Sequence, residues 1–417
     1  MAVSPANGLQ AAGVKSVAEL TQSPGIKEAL QAFTKDRKWI DEQHLALCRI
    51  PAPTFLEEKR AEWMAGQLRA LDWDAKIDRA GNVVATINGA REGPFVALTA
   101  HLDTVIAPRV PEEIRVAADG RFQGPGVSDN GAGLAALLAI ARVARGLPVD
   151  DWGGSLLFVA NVGEEGEGNL SGMRFLCRQS SLASKIKAFV VLDGPTTDHI
   201  TYEALASRRY ELVFSGPGGH SWSDYGVGNP VHAMSRAIAW FASNPAARPG
   251  QGPRVSFNFG LVEGGSSINS IPTSARTKVD LRSEDPDRLE ELTALLTSST
   301  EAAVEAENDR STSGRVTARL REIGSRPGGR LSEDSPILRY VRAVDQHLGI
   351  RSHLDCASTD ANIPLSMGLP AISIGAGGTG GGAHTPQEWF HPEGRELGLR
   401  RVLLTLVLLL RSVSSGG

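Results

Sequence analysis

The spacing of apolar residues changes repeatedly along the first half of the chain. Residues 26–71 carry apolar side chains three or four positions apart, as in a helix, and Pro51 and Pro53 interrupt this pattern. Further on, short runs that are almost continuously apolar alternate with helical patterns, which is typical of a sheet that helices cover on both faces. The apolar runs lie at residues 82–87, 95–100, 155–160 and 188–192, and the helical patterns at residues 131–144 and 172–177.

The pattern is different between about residue 206 and residue 324. Its runs alternate between apolar and polar side chains, which indicates strands with one buried face. In chain order the elements read strand, helix, strand, strand, helix, strand, the order of a ferredoxin-like unit, and we expect an α+β domain inserted into the α/β domain. The strands are predicted at residues 209–215, 255–262, 276–282 and 315–323, and the helices at residues 229–242 and 285–307.

After residue 329 the first type of pattern resumes. It predicts a helix at residues 337–348, a strand at 370–374 and a closing helix at 397–411. The apolar run at 402–410 is flanked by arginines and is shorter than the roughly 18 residues that span a membrane. It is therefore expected to form part of a core helix of the α/β domain.

Composition and charge exclude several classes of protein. The chain has 417 residues, of which 41% are hydrophobic, and this is enough for a sizeable core without disulfide or metal support. The net charge of −4 provides no basic excess for binding nucleic acid or an anionic membrane, so neither is expected as a partner. Three widely spaced cysteines make no disulfide framework. Because the first residues lack a basic stretch followed by an apolar one, we expect a cytoplasmic protein.

Ionisable side chains follow the predicted strands at the points where those strands end. His101 and Asp103 follow one apolar run, Glu164 and Glu165 follow a second, and Asp193 follows a third. In open α/β sheets ligands bind at the carboxyl ends of the strands. We therefore expect these side chains to gather at one edge of the sheet.

Two glycine-rich loops add further ionisable residues to this edge. One loop contains Asp129 and leads into the helix predicted at 131–144, and the other contains His384 and follows the strand predicted at 370–374. Taken singly, each ionisable residue has an ordinary structural explanation: a packed histidine, a solvated acidic turn or, for Asp129, a helix N-cap. Their convergence on one edge is what favours a functional site.

Two histidines and several carboxylates form a suitable donor set for a pair of divalent metal ions. Such a pair needs a carboxylate that bridges the ions and further ligands for each of them. Zinc suits this set, with manganese or cobalt as alternatives. Asp103 lies two positions after His101, on the same strand face, and is predicted to accept the other imidazole N–H. Of the adjacent Glu164 and Glu165, one would bind metal and the other would serve as a base.

In this order and at these spacings, the segments resemble the M20 metallopeptidases, a group of aminotripeptidases, dipeptidases, glutamate carboxypeptidases and aminoacylases. The resemblance covers nearly the whole chain after about residue 40. It implies a mixed sheet of the zinc-peptidase type, two metal ions, Glu164 as general base and Asp103 as the residue that orients His101. By position, the implied ligand sets are His101, Asp129 and Asp193 for one ion, and Asp129, Glu165 and His384 for the other.

The resemblance also extends to the inserted domain, which would be a lid. His220 follows a glycine-rich stretch that looks like the family's lid segment, and it would stabilise the oxyanion. Asn269 and Arg282 resemble residues that bind the substrate. Both residues could instead be structural, and His220 could instead be an ordinary loop histidine. Trp222, Asp224 and Tyr225 stand where the family usually has small residues or a proline. Asp360 matches a recurring family segment, but the residues themselves do not indicate its role.

The function that we expect is hydrolysis of short peptides by a metal-dependent exopeptidase. Asp193, where carboxypeptidases and deacylases of the family tend to carry glutamate, favours peptides with a free amino terminus. An N-acyl amino acid deacylase or a carboxypeptidase is the alternative within the family. A non-catalytic, metal-dependent binding or scaffold protein is the alternative from another class.

The domain boundaries follow from the same patterns. We expect a loose leader at residues 1–25, the catalytic domain at 26–206 and 325–417, and the lid at 207–324. The sheet edge of an inserted domain of this type invites pairing with a second chain, so a homodimer through the lid domain is predicted.

Overall fold

A computed structural model describes residues 16–86, 93–147, 152, 154–248, 250 and 253–415. The chain divides into two compact units. The first unit consists of the chain up to Ala204 together with the chain from Gly329 onward, and the second unit is Leu205–Gly328.

The strands are numbered in chain order over both units. They are Asp74–Ile77 (β1), Val83–Thr86 (β2), Phe95–His101 (β3), Arg115–Val116 (β4), Phe122–Gln123 (β5), Ser155–Asn161 (β6), Ile186–Leu192 (β7), His199–Ala204 (β8), Ala206–Ser215 (β9), Gly219–His220 (β10), Val255–Gly264 (β11), Ser270–Ile271 (β12), Ser274–Ser283 (β13), Thr317–Arg326 (β14), Gly329–Arg330 (β15), His353–Ala357 (β16), Ala371–Ile374 (β17), Thr379–Gly381 (β18) and Trp389–His391 (β19).

The helices follow the same numbering. They are Pro24–Lys35 (α1), Arg37–Cys48 (α2), Glu58–Ala70 (α3), Gly131–Gly146 (α4), Ser171–Arg178 (α5), Pro230–Ser243 (α6), Pro286–Arg310 (α7), Pro336–Leu348 (α8), Asn362–Ser366 (α9) and Arg395–Ser415 (α10). Among the described residues, no helix is both long and apolar enough to cross a membrane.

A mixed sheet forms the centre of the first unit. Its order is β1-β2-β6-β3-β7-β17-β8-β15, and β16 also pairs with β8. β3 runs parallel to β6 and β7, and β7 runs parallel to β17, whereas β1, β2 and β15 pair in antiparallel fashion. The parallel strands at the centre end at one edge of the sheet, where the ionisable residues follow them.

Helices cover both faces of this sheet, as the apolar runs predict. Every residue of β3 is buried, because alternate side chains enter two different hydrophobic clusters. On one face of the sheet, Leu98 and its neighbours pack with α4 and α10. Ala97 and its neighbours pack on the other face with Leu176 of α5 and Ile363 of α9. The apolar residues 402–410 are buried in α10 as part of the first cluster.

A smaller sheet in the same unit links two distant parts of the chain. Its order is β18-β19-β5-β4, and Trp389 and Phe390 of β19 pair with Gln123 and Phe122 of β5. The sequence patterns did not predict these strands, since two or three residues are too few for a period to appear. This sheet joins the loop that carries His384 to the loop that carries Asp129.

The second unit has the predicted order of strands and helices. Its larger sheet has the order β11-β13-β9-β14 with antiparallel neighbours, and α6 and α7 follow β9 and β13 in the chain. Tyr210, Leu212 and Phe214 alternate along β9 and pack in one cluster with both helices. Between them, Glu211 and Val213 face the other side of the sheet.

The expectation of a loose leader needs correction, and three strands of the first unit were not predicted. Residues 16–20 are helical, and Val17 and Leu20 are buried against the first unit, so this part of the expected leader is packed. Residues 1–15, and residue 87 of the expected strand at 82–87, lie outside the described residues. Strands β1, β8 and β16 were also not predicted, because their sequences mix polar and apolar residues without long apolar runs.

Candidate metal centre

The ends of three neighbouring strands bring the first ionisable residues together. His101 is the last residue of β3 and pairs in register with Asn161, the last residue of β6. Glu164 and Glu165 follow three and four residues later, and Asp193 follows β7 directly. Since β3, β6 and β7 are parallel, their carboxyl ends meet at one edge. The residues that the apolar runs predicted at this edge do lie there.

Asp129 lies between the two histidines. Its Oδ1 is 3.1 Å from Nε2 of His101, and its Oδ2 is 3.1 Å from Nε2 of His384. Asp193 Oδ1 is 3.8 Å from His101 Nε2, and Glu165 Oε1 is 3.0 Å from His384 Nε2. One carboxylate thus contacts both imidazoles through different oxygens, as a bridging ligand would.

Among the described residues, three groups of donor atoms lie close enough to hold a cation. In each group, one ligand atom from every residue lies within 4.8 Å of the others. Two of the groups are the ligand sets that the resemblance implies, and they share Asp129. The third group shows that Glu164 also lies near His101. The groups are His101 with Asp129 and Asp193, Asp129 with Glu165 and His384, and His101 with Glu164 and Glu165.

The short contacts between acids and imidazoles shift the pKa values of both. Burial disfavours the charged form of His101, yet its contacts with Asp103, Asp129 and Asp193 raise its pKa well above the usual value. Hydrogen bonds to Asp129 and Glu165 raise the pKa of His384 to about 10. Burial would raise the pKa of Asp129, but the two histidines hold it well below the usual range. Protons therefore occupy this site in the metal-free protein, and a cation that binds here must displace them.

Asp103 contacts more than His101. The imidazole Nδ1 of His101 lies 3.0 Å from the main-chain oxygen of Asp103 and 3.5 Å from its carboxylate. The carboxylate accepts the backbone N–H groups of Glu164 and Glu165 at 3.0 and 2.9 Å, and the hydroxyl of Thr54 at 3.0 Å. The carbonyl is thus the nearer acceptor for His101, whereas we expected the carboxylate. Asp103 also holds the turn that carries both glutamates, a role that the sequence did not reveal.

Asn130, and not Asp129, is the N-cap of helix α4. Asn130 Oδ1 accepts the N–H of Gly133 at 3.1 Å, which caps α4, and its Nδ2 donates to the carbonyl of Leu192 at 2.8 Å. Because Asn130 supplies the cap, the carboxylate of Asp129 remains directed at the histidines. The structural explanation for Asp129 considered from sequence therefore does not apply.

Two further acidic residues surround the site. Glu388 is buried and accepts the N–H groups of Gly126, Ser128 and Asp129. Asp360 is also buried, and its Oδ2 accepts a hydrogen bond of 2.6 Å from Nδ2 of Asn161. Burial raises the pKa of Asp360 to about 7. Sequence reasoning missed Glu388, although its place four residues after His384 was a usable signal.

His220 lies in the second unit and has a defined tautomer. It belongs to β10, which pairs with β12, so that His220 faces Ser270 in the register. The Nδ1 atom of His220 accepts the backbone N–H groups of Trp222 and Ser223 at 3.2 and 3.4 Å. A ring nitrogen that accepts carries no hydrogen, so the proton of neutral His220 sits on Nε2. The imidazole is thereby set up as a donor through Nε2.

The other residues assigned to substrate binding also lie in the second unit. The main-chain oxygen of Asn269 accepts the N–H of Ser221 at 3.0 Å, which places Asn269 next to His220. Arg282, on β13, donates from Nε to Oδ2 of Asp280 at 2.6 Å. Arg282 is therefore already paired with a carboxylate on its own strand.

Comparison with known proteins finds a matching family model and several relatives. The family model described as peptidase family M20/M25/M40 matches residues 97–407. The Bacillus subtilis protein YqjE is 23% identical over 358 residues, which are 82% of this chain and 91% of that protein. Carboxypeptidase G2 from Pseudomonas is 24% identical over 310 residues, covering 72% of this chain and 70% of the enzyme.

A solved structure with the same fold comes from Staphylococcus aureus. This tripeptidase superposes with a TM-score of 0.70 and 21% sequence identity, covering 90% of this chain and 98% of the tripeptidase. The likeness is one of fold and covers most of the mixed α/β architecture. Since the family model matches most of the sequence, the predicted resemblance is confirmed, and the chain belongs to peptidase family M20/M25/M40.

Proposed function

We propose that this peptidase hydrolyses short peptides with two divalent metal ions. The observation that carries the proposal is the pair of donor sets that share Asp129. Their oxygen and imidazole donors fit zinc, and manganese or cobalt would also be accepted. His101, Asp129 and Asp193 would hold one ion, and Asp129, Glu165 and His384 the other. When bound, the ions supply Lewis acidity that polarises the scissile carbonyl and makes the attacking water more acidic.

Glu164 is the general base in this proposal. It is 4% exposed, and its backbone N–H is held by the carboxylate of Asp103, which fixes the turn on which it lies. Its neighbour Glu165 contacts His384, so the two glutamates have different partners. Glu164 would take a proton from the attacking water and later deliver it to the leaving amine.

His220 is the oxyanion donor in this proposal. The N–H groups of Trp222 and Ser223 hold its Nδ1, which leaves Nε2–H to donate to the tetrahedral oxyanion. Asn269 and Arg282 would bind the peptide, Arg282 by exchanging Asp280 for the substrate carboxylate. We further propose a homodimer through the lid domain, formed by the second unit, in which His220 serves the partner's site. A cytoplasmic location remains a prediction.

The preferred substrates are peptides with a free amino terminus, because Asp193 rather than glutamate completes the first donor set. Deacylation of N-acyl amino acids, or carboxypeptidase activity, uses the same machinery with a different pocket, and the relative carboxypeptidase G2 keeps the latter open. A purely binding or scaffold role is the alternative from another class, and it would need no general base beside the donor sets.

A substrate screen tests the proposal. Purified protein is loaded with Zn²⁺ or Co²⁺ and given matched peptides with free or acetylated amino termini. We expect release of amino acids from the free-amine series only when metal is present. Release of acetate from the acetylated series would assign the deacylase alternative, and release of carboxyl-terminal amino acids from that series would assign the carboxypeptidase alternative. No hydrolysis of either series would leave the scaffold alternative.

A further inference from the structure

One buried carboxylate collects the backbone N–H groups of the Asp129 loop. Glu388 is 2% exposed. Its Oε1 accepts the N–H groups of Ser128 and Asp129 at 2.7 and 2.8 Å, and its Oε2 accepts the N–H of Gly126 at 2.8 Å. Both oxygens are therefore used by the main chain, and Glu388 belongs to neither of the donor sets described above.

The Asp129 loop needs such a partner because it is largely buried. Leaving a buried N–H without an acceptor destabilises the fold, and hydrogen bonds to a charged acceptor are the stronger kind. On the carbonyl side, Nε2 of His44 donates to the oxygen of Val127 at 2.7 Å. The main chain of the loop is thus held from both sides by buried side chains.

Glu388 is equally tied to the segment that carries His384. It lies four residues after that histidine, and its own main-chain oxygen accepts the N–H of Gly124 at 2.9 Å. The next two residues continue into the pairing of β19 with β5. One residue therefore connects the main chain on both sides of the contact between Asp129 and His384.

We propose that Glu388 is a positioning residue that fixes Asp129 relative to His384 before a metal ion binds. Its carboxylate takes the place of metal coordination in ordering the loop, so the two donor sets are formed in advance. This inference rests on the proposed role of Asp129 and His384 as ligands. It assigns Glu388 no contact with the ions or with the substrate.

The test is the substitution Glu388→Gln, which keeps the size of the side chain. The amide retains one oxygen for Ser128 and Asp129, but its NH₂ group then faces the N–H of Gly126, two donors without an acceptor. We expect the dissociation constant for Co²⁺, titrated into metal-free protein, to rise about 10–100-fold. The visible absorption spectrum of bound Co²⁺ should also change, because the geometry of the ligands is no longer fixed.

A matched control exists in the second unit. Glu307 is also 2% exposed and accepts a backbone N–H, that of Asn229, at 2.9 Å. It also pairs with Arg236, and its unit contains none of the proposed ligands. Glu307→Gln should lower thermal stability while leaving the affinity for Co²⁺ within about twofold of the wild-type value, a change that corresponds to less than 1 kcal/mol.

Each outcome decides between the two proposals. If wild-type protein binds no Co²⁺, the proposed metal centre is wrong. If it binds two equivalents and Glu388→Gln binds them equally well, the centre stands and the positioning role is wrong. Should the variant not fold, hydrogen exchange in metal-free wild-type protein replaces it. The amides of Gly126, Ser128 and Asp129 are expected to be protected, and exchange at the rate of an unfolded chain would overturn the inference.

Discussion

The two units of the chain carry their charged residues in different places. In the first unit, His101, Asp103 and Asp360 are at most 1% exposed and lie where the central strands end. In the second unit, the charges spread over the open face of the antiparallel sheet. There Arg209 pairs with Asp280, both of them partly exposed, and Arg321, which is 59% exposed, pairs with Glu211.

The difference is informative because burying a charge costs free energy, whereas leaving it in water does not. Taking a charge out of water costs several kcal/mol, so buried charges are retained where they pair with one another or serve a function. An ion pair at the surface contributes at most about 1 kcal/mol and needs no functional reason. The cluster of buried charges at the strand ends therefore points to chemistry in the first unit, whereas the ion pairs on the open sheet face of the second unit need no functional reason.

The strongest test of this contrast is Glu164→Gln. Loss of a general base lowers turnover by about 10²–10⁴-fold, and more where the same group protonates the leaving amine. The variant should still bind two equivalents of metal, measured by elemental analysis beside the rate. Glu165→Gln is the matched control and should lose metal as well as activity. Near-normal turnover of Glu164→Gln would remove it from the mechanism.

Through His220 the second unit would take part in catalysis and not only in structure. We expect His220→Ala to lower turnover by about 10²–10³-fold, as when an oxyanion donor is removed. Mixing Glu164→Gln with His220→Ala under conditions of subunit exchange should restore about a quarter of the wild-type rate. Half of the dimers are then mixed, and one of the two sites in each mixed dimer has both Glu164 and His220. A mixture no more active than its components would exclude action across a dimer.

The histidines of the first unit predict how metal binding responds to pH. Because the pKa of His384 is raised to about 10 in the metal-free protein, affinity for Co²⁺ should increase about tenfold per pH unit for each proton displaced, up to about pH 10. Titrations in two buffers of different ionisation heat measure the protons released. Affinity that is flat between pH 7 and pH 9 would contradict the expectation.

The same shift predicts the stability of the metal-free protein. The contribution of protonated His384 is fully present below the unfolded-state pKa of about 6.5 and is lost as the pH rises through about 10. Melting temperatures of metal-free wild-type protein should fall over this range. His384→Asn should show a smaller fall, since it has no proton to lose there.

The smallest effect is expected on the open face of the second unit. Arg321 donates to Glu211 at 2.7 Å, yet its side chain is 59% exposed. Arg321→Ala should change the free energy of unfolding by less than about 1 kcal/mol and leave metal affinity unaltered. Urea denaturation at low and high salt measures this change. A large loss would show that the surface pairs of this unit do more than we infer.

The sequence predicted the elements with a clear period and the residues that follow them. The apolar runs before His101, Glu164 and Asp193 specify buried strands, and strand direction then brings these residues together. The family resemblance supplied the pairing of ligands, which spacing alone left open. The order of the inserted elements also emerged from alternation, which is clearest in β13, where every second residue is buried.

What the sequence did not reveal depends on contacts between distant segments. Asn130 rather than Asp129 caps α4, and only the position of the backbone distinguishes two neighbouring residues that both favour caps. The carboxylate of Asp103 accepts the N–H groups of a turn 61 and 62 positions away. The hydrogen bonds between Glu388 and the loop of Asp129 join residues about 260 positions apart. The spacing of apolar residues does not predict such contacts, because they form between loops and not within regular helices or strands.

The separation of Asp129 and His384 by 255 positions also bears on biosynthesis. A ribosome that has released the residues up to 329 has delivered most of the central sheet and the whole inserted unit, but only one of the two histidines of the proposed centre. The loop of Asp129 must wait for the segment with His384 and Glu388, and contacts so far apart in sequence form slowly. A chain truncated before residue 384 should therefore lack the second donor set, whatever the stability of the part already folded.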